Sequence, residues 1–344
     1  MRPWPPPAGM TATAQELRPV LTAFGIRRAG VGHEPTLTST VYRVRTEDRL
    51  LYLKRHPETA ASRIVWATEI VERLRQHGIR APRFLRSGAD PYAQHRGHLF
   101  TLTEAVDGQP LTLLSLAASQ PARQMGAFLA HVHRAVNTGV SPQTLPKTAL
   151  LDDADYAVRL LDAQRHLERL PATPARVGLL RALAAVEGVA RTRRRLDDTS
   201  PHHGLVHGDF WPGNLLARGA GLADVAVLEP ESSCRAPLLT DLAQFADLAF
   251  RLRMDGGGLA LDLVSATAFA RAYAEDAALP GAALRALPAV LVAIREHSIL
   301  WIAERHVEDG ANPLDPLAEN DQAILAFLAE AGDRWAEALG GAGP

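Results

Sequence analysis

The chain has 344 residues, 47% of them apolar, and a net charge of −1. So much apolar material excludes disorder as the main state and points to two domains or one domain of two lobes. The near-neutral balance excludes a molecule that binds nucleic acid by charge alone. No unbroken apolar run reaches the roughly 18 to 20 residues of a membrane span. The single cysteine, Cys234, excludes a disulfide framework and a Cys-based zinc site.

The first seven residues, Met1-Arg-Pro-Trp-Pro-Pro-Pro, lack the apolar segment of a secretory signal, so the expected location is cytoplasmic. Of the 37 basic residues only Lys54 and Lys147 are lysine. Arginine is a planar fork and lysine a compact point charge, so a lone lysine in an arginine-rich chain invites a chemical explanation. Residues 1–150 carry 19 basic and 10 acidic side chains, and residues 151–344 carry 18 and 28. Two ordinary solvated surfaces account for that asymmetry as well as any partner does.

In chain order, residues 1–12 read as a Pro-rich flexible tail. Thr11 to Phe24 reads as an amphipathic helix with Leu17, Val20, Leu21 and Phe24 on one face. Val41–Arg45 and Leu50–Lys54 flank a Glu47-Asp48-Arg49 turn, which predicts a β-hairpin with Lys54 late in its second strand. Ala60–His77 is a predicted helix ended by Gly78. Ala81–Leu85 and His98–Glu104 read as further strands, and Asp107-Gly108 breaks the chain. Beyond that point helical patterns dominate: 111–118, 121–135, 155–167, 177–196, 238–253, 259–274, 287–306 and 316–339. A short β insert interrupts them at 204–229. The expected division is a tail over 1–12, a β-rich lobe over 13–105 and a helical lobe over 106–344.

The insert carries the chemistry. In Leu205-Val-His-Gly-Asp-Phe-Trp-Pro-Gly-Asn-Leu-Leu216, apolar residues lead into and out of a polar loop holding His207, Asp209 and Asn214. Gly208, Pro212 and Gly213 are its turn formers. The chain then returns as Val225-Ala-Val-Leu-Glu229. A symmetric hairpin would pair Ala217 with Ala226 and set Asn214 opposite Glu229, with Cβ atoms about 5 Å apart. An amide oxygen beside a carboxylate suits Mg2+, and a nearby carboxylate off the metal suits a base accepting a hydroxyl proton.

His207-Gly-Asp-x-x-x-x-Asn214 resembles the catalytic loop of the aminoglycoside phosphotransferase and choline kinase-like family, small-molecule relatives of protein kinases. The resemblance spans about residues 30 to 310. It implies a two-lobed α+β protein-kinase-like fold, with an N-terminal antiparallel sheet of five strands, one main helix, and a larger helical C-terminal lobe. It implies ATP- and Mg2+-dependent phosphoryl transfer to a hydroxyl of a small molecule, an antibiotic among the candidates, with ATP between the lobes. By position, Lys54 resembles the lysine on the α/β-phosphates and Glu69 the acid that pairs with it. The strand ending at Glu104 resembles the hinge that holds the adenine. Asp209 resembles the catalytic base, His207 a residue bracing its loop, Asn214 one metal ligand, and Asp241 of Thr240-Asp241 the residue that steadies the loop.

Two departures stand out. The family's second metal position is aspartate, where this chain has Glu229 in Val227-Leu-Glu-Pro-Glu231, so either Glu229 binds the metal or Glu231 helps. The alternative reading is a weak or inactive nucleotide-binding pseudokinase. The nucleotide loop is Thr36-Leu-Thr-Ser-Thr40 rather than glycine-rich, with Ser39 and the threonine hydroxyls as phosphate donors or as a plain turn. A separate reading takes His202, His203, His207 and Asp209 as a metallohydrolase cluster. His131 and His133, two apart on a helix, cannot share a face and read as surface or packing residues. Among residues 291–344, Glu296, Glu304, Glu308, Asp309, Asp315, Glu319 and Asp321 would suit a cationic acceptor or form a solvated face. Trp211 and Trp301 read as acceptor-pocket or core residues.

Overall fold

The computed structural model describes residues 13–34, 36, 39–111, 119–139, 153–187, 202–219, 222, 224–254, 258–310 and 314–341. The tail over 1–12, the helix expected at 111–118 past its first residue, Lys147 and the stretch 188–196 lie outside them. The chain forms two units, one of residues 1–110 with 214–233 and one of 111–213 with 234–344.

The first unit begins with α1 (Ala14–Ala23), whose start is fixed by a capping box between Thr13 and Glu16. A five-stranded antiparallel sheet follows, made of β1 (Gly30–Glu34), β2 (Thr40–Arg45), β3 (Leu50–Pro57), β4 (Ala93–His95) and β5 (His98–Glu104), in the order β1-β2-β3-β5-β4. Alternation along β2 and β3 sends Tyr42, Val44, Leu51 and Leu53 to one face, where they pack with Leu17, Val20, Leu21 and Phe24 of α1. On the other face Lys54 stands opposite Thr101 and His56 opposite Leu99. Ile64, from α2 (Ala61–Gln76), covers Leu99.

Ala81–Leu85 does not form the expected strand. Phe84 makes one bridge to Thr103, and the Leu85 N–H reaches the Leu102 carbonyl at 2.8 Å. Pro82 has no N–H to give a ladder. The glycine-bearing β1 escapes the sequence reading because it lacks the alternation that marks β2.

The hairpin of β8 (Leu215–Ala217) and β9 (Val225–Val227) joins β6 (Gln109–Pro110) in a three-stranded sheet. It therefore belongs with the first unit, not with the helical part to which the sequence reading gave it. Arg80 fastens it, donating to the Asp224 side chain, to the Asp224 carbonyl at 2.8 Å and to the Asp107 carbonyl at 2.7 Å. The register is one residue off the symmetric expectation. Leu216, not Ala217, faces Ala226, and the Leu228 N–H donates to the Asn214 carbonyl at 2.9 Å. Glu229 follows in the left-handed region, φ 56° and ψ 49°, where the strand ends.

The second unit is mostly helical: α3 (Ser119–Asn137), α4 (Asp153–Arg169), α5 (Pro174–Glu187), α6 (Leu239–Phe250), α7 (Leu263–Asp276), α8 (Leu287–Asp309) and α9 (Asp315–Gly340). Its two-stranded sheet pairs β7 (His203–Val206) with β10 (Cys234–Pro237). A second pair, β11 (Arg251–Arg253) and β12 (Leu259–Leu261), replaces the helix ends expected there. Asp262 caps α7 by accepting from the Val264 and Ser265 N–H groups, so that helix starts after β12. Gly126 lets α3 approach α7 closely, since a Cβ there would lie 2.1 Å from the Phe269 carbonyl oxygen.

Helix α6 is buried nearly all round. Its Asp247 lies among Arg251 (2.7 Å) and Arg295 (2.9 Å), and Arg295 also reaches Asp321 at 3.0 Å. Burial opposes the Arg295 charge, but Asp247 and Asp321 outweigh it and hold the guanidinium firmly protonated. By length and average composition, though not by an unbroken run, the segment Gly281–Glu308 is apolar enough to cross a membrane, and 67% of its most apolar stretch is buried inside the protein. Arg295 and Glu296 interrupt the run while leaving its average apolar.

Candidate active site

The structure gathers the chemistry-bearing residues into two clusters, one in each unit. In the first unit Lys54 projects from β3 with only 15% of its side chain exposed. It donates to Glu229 Oε2, and Glu231 Oε1 lies 3.6 Å away. Burial opposes the ammonium charge, yet Glu231 and then Glu229 overcome it and raise the Lys54 pKa above its ordinary value.

Both acids come from one turn. Pro230–Ser232 is a 3-10 segment packed against α2, and the left-handed Glu229 before it redirects the chain. Only a few per cent of non-glycine residues adopt such a conformation, and they gather at functional sites. The Glu229 side chain is 42% exposed and the Glu231 side chain 14%. Glu231 Oε2 is buried, with no hydrogen-bond partner among the described residues.

Glu69 does not meet Lys54. The inward face of α2 is Ile64, Ala67, Thr68, Val71 and Leu74, and helical spacing leaves Glu69 and Glu72 on the exposed side. Glu104 ends β5 with its carboxylate 3.6 Å from Arg49 and its N–H on the Arg83 carbonyl. In the nucleotide loop the Thr36 hydroxyl closes a local turn, donating to the Ser39 carbonyl and accepting from the Ser39 N–H. Asn214 is buried where β8 begins, and its carbonyl holds Leu228, next to Glu229.

The second unit holds the Asp209 loop. Asp241, fully buried at the start of α6, accepts the His207 N–H at 2.6 Å on one oxygen and the Gly208 N–H at 2.9 Å on the other. Gly208 turns the chain at φ 77°. His133 Nε2 donates to the same Asp241 carboxylate at 2.9 Å, and Tyr273 lies 2.8 Å from His133 Nδ1. Burial works against the Asp241 charge, but the His133 bond, the neighbouring histidines and the His207 N–H hold its pKa below the ordinary aspartate value. Burial and the Asp241 charge push the Tyr273 phenol up.

His207 is buried, its ring edge-on to Phe210 at 5.8 Å, and its Nδ1 accepts the Asp209 N–H at 3.3 Å. Phe210 in turn packs on Phe245 of α6. The Asp209 carboxylate accepts from Gln244 Nε2 at 3.1 Å. The loop is thus tied at its main chain, its aromatic flank and its carboxylate. Trp211 is 38% exposed and lies across Gly213, where a Cβ would come 2.2 Å from the indole.

Sequence reasoning missed three of these roles. Gln244 lies three residues past Asp241 on α6, a spacing that offered a local signal. His133 offered none, because its partner is 108 residues away. Glu231 was considered as a metal residue rather than as the partner of Lys54.

The rival zinc-type cluster does not assemble: His203 is exposed on β7, while His207 is buried. Among the described residues no three His, Cys, Asp or Glu side chains gather to hold a metal. Of the acids suggested for a cationic acceptor, four have a basic neighbour and Glu319 is exposed on α9. Glu304 pairs with Arg159, Asp315 with His306, Asp321 with Arg295 and Glu308 with Arg305. Glu296 is buried, and the Asp309 side chain is outside the described set.

An antiparallel sheet bearing a paired lysine, together with a helical unit bearing this loop, is the kinase-like α+β architecture. The phosphotransferase enzyme family matches residues 33–279. The chain belongs to this family of small-molecule phosphotransferases. Solved structures are similar at low identity. An aminoglycoside phosphotransferase from Alicyclobacillus acidocaldarius is 16% identical, covering 96% of this chain and 97% of that one at a TM-score of 0.58. A Plasmodium vivax ethanolamine kinase is 13% identical, covering 90% and 84% at 0.63. An amicoumacin kinase in complex with AMP-PNP, Ca2+ and Ami is 16% identical, covering 88% of each chain at 0.59. At these identities the likeness is one of fold. No curated protein matches the chain by sequence.

Proposed function

We propose that this chain transfers the γ-phosphoryl group of ATP, with Mg2+, to a hydroxyl of a small molecule. The observation that carries this reading is the Asp209 loop, whose main chain is fixed by Asp241 and whose carboxylate is oriented by Gln244. A half-buried carboxylate held in one direction can align a hydroxyl and accept its proton as the oxygen attacks phosphorus. The amicoumacin kinase bound to AMP-PNP supports the nucleotide.

Lys54 supplies a desolvated positive charge for the α/β-phosphates. Glu229 and Asn214 fit a hard divalent cation, since their donors are oxygens and Glu229 is the more exposed carboxylate on Lys54. A cation bound there would neutralise phosphate charge. The protein's part is positioning and charge complementarity, which are the main needs of phosphoryl transfer. The acceptor is assigned by its hydroxyl alone: Asp321 is committed to the buried Arg295, and the exposed acids of α8 and α9 among the described residues do not gather into one site.

Thermal unfolding with ATP or ADP, with and without Mg2+, tests the reading. A ligand at about 100 times its Kd stabilises by roughly 2.7 kcal/mol. The expected result is a shift that grows with Mg2+. No shift with any nucleotide would sink the assignment.

A further inference from the structure

We infer that Glu231, rather than an acid of α2, is the residue that holds Lys54 in place for the nucleotide phosphates, leaving Glu229 free for the metal. The inference rests on the reading of Lys54 as a phosphate ligand. Its starting point is a substitution of parts. Glu69 lies on the outer face of α2, whereas the turn Pro230–Ser232 packs against that helix and brings Glu231 to the lysine.

The two acids at Lys54 are not equivalent. Glu231 is nearly enclosed, its side chain 14% exposed beside a lysine 15% exposed. Glu229 is 42% exposed. A buried carboxylate whose second oxygen has no partner among the described residues is costly, and the adjacent ammonium offsets that cost.

If Glu229 alone held Lys54, a cation drawing Glu229 away would free the lysine. Glu231, 3.6 Å from Lys54 Nζ, is the carboxylate left to hold the lysine when Glu229 changes partner. The left-handed turn at Glu229 makes this division possible, because it sends carboxylates two residues apart to one amine. His56, two residues along β3, feels the Lys54 charge as well.

The test uses the whole chain and two probes, ADP with Mg2+ and adenosine, titrated calorimetrically. Glu231→Gln is expected to weaken ADP binding about tenfold, the lower end for loss of a supporting partner, and to leave adenosine binding unchanged. Lys54→Met should lose the same phosphate-dependent part, with no further loss when Glu231→Gln is added. Glu231→Asp should restore part of the affinity, and Glu69→Gln should bind as the parent does. A normal Glu231→Gln, additive losses, or the loss appearing in Glu69→Gln instead would overturn the inference. A fold defect would weaken both probes, which separates it from a positioning role. If the parent binds neither probe, the functional reading itself fails. Thermal unfolding of Lys54→Met, Glu231→Gln and the double variant without ligand still decides the pairing, because additive losses would remove it.

Discussion

His133 Nε2 lies 2.9 Å from Asp241 Oδ2, and the same carboxylate takes the main-chain N–H groups of His207 and Gly208. One buried carboxylate therefore accepts three donors, two of which define the entry to the Asp209 loop. Asp241→Asn should destabilise the protein by about 3 kcal/mol, because an amide offers one accepting oxygen and turns its NH2 group toward a donor. Tyr273→Phe should cost less, about 1 kcal/mol, as it leaves only the His133 Nδ1 acceptor without its partner. Denaturant unfolding checks both. Because the Asp241 pKa is depressed, its contribution is present above pH 3.8 and is lost only as pH falls below that.

Asp209 and Gln244 make a second testable pair, joined at 3.1 Å. Asp209→Ala should lower turnover on any accepted hydroxyl compound by about a hundredfold or more while ADP affinity is kept. Gln244→Ala should lower kcat about tenfold with nucleotide affinity unchanged, because it frees the direction of the carboxylate rather than removing it. Equal turnover in parent and Asp209→Ala would exclude this aspartate as the base.

The parts legible in the sequence are those written in local spacing. His207, Asp209 and Asn214 stand within eight residues, so their spacing marked the loop, whereas Asp241 was found only through the resemblance to the family. The acids at Lys54 were not legible as its partners, because helix phase decides that Glu69 faces outward and a tertiary contact brings Glu229 and Glu231 in. The hairpin register differs by one residue from the symmetric count because the loop that joins the strands sets it, closing with the Arg218 N–H on the Asp224 carbonyl and pairing Ala217 with Val225. Residues 251–261 read as helix ends because short apolar stretches satisfy both periods, and pairing across the sheet decided between them.

His56 gives the first unit a pH dependence. It is buried beneath α2 and bonded to Thr101 at 2.9 Å. Burial, aided by the Lys54 charge and Arg63 and opposed by Glu229, lowers its pKa from 6.5 to about 4. The unfolded chain thus binds more protons between these values, so stability falls as pH drops from 6.5 toward 4. The loss is roughly 3 kcal/mol in full. Unfolding midpoints across that range should slope in the parent and flatten in His56→Gln. Parallel slopes would remove His56 as the cause.

Glu229→Asp tests whether the longer acid is an adaptation of this site. Aspartate tolerates the left-handed conformation at least as well as glutamate, so the backbone turn at φ 56° should survive and unfolding stability should stay within about 0.5 kcal/mol. Shortening by one methylene draws the carboxylate back from Lys54 Nζ, which Glu229 Oε2 now meets. The expected outcome is a smaller Mg2+-dependent stabilisation by ADP and a lower turnover. A rise in both would mean that glutamate had weakened the site, as in the pseudokinase alternative. The Mg2+ concentration giving half of the ADP-induced shift reads the difference directly, and it needs no knowledge of the acceptor.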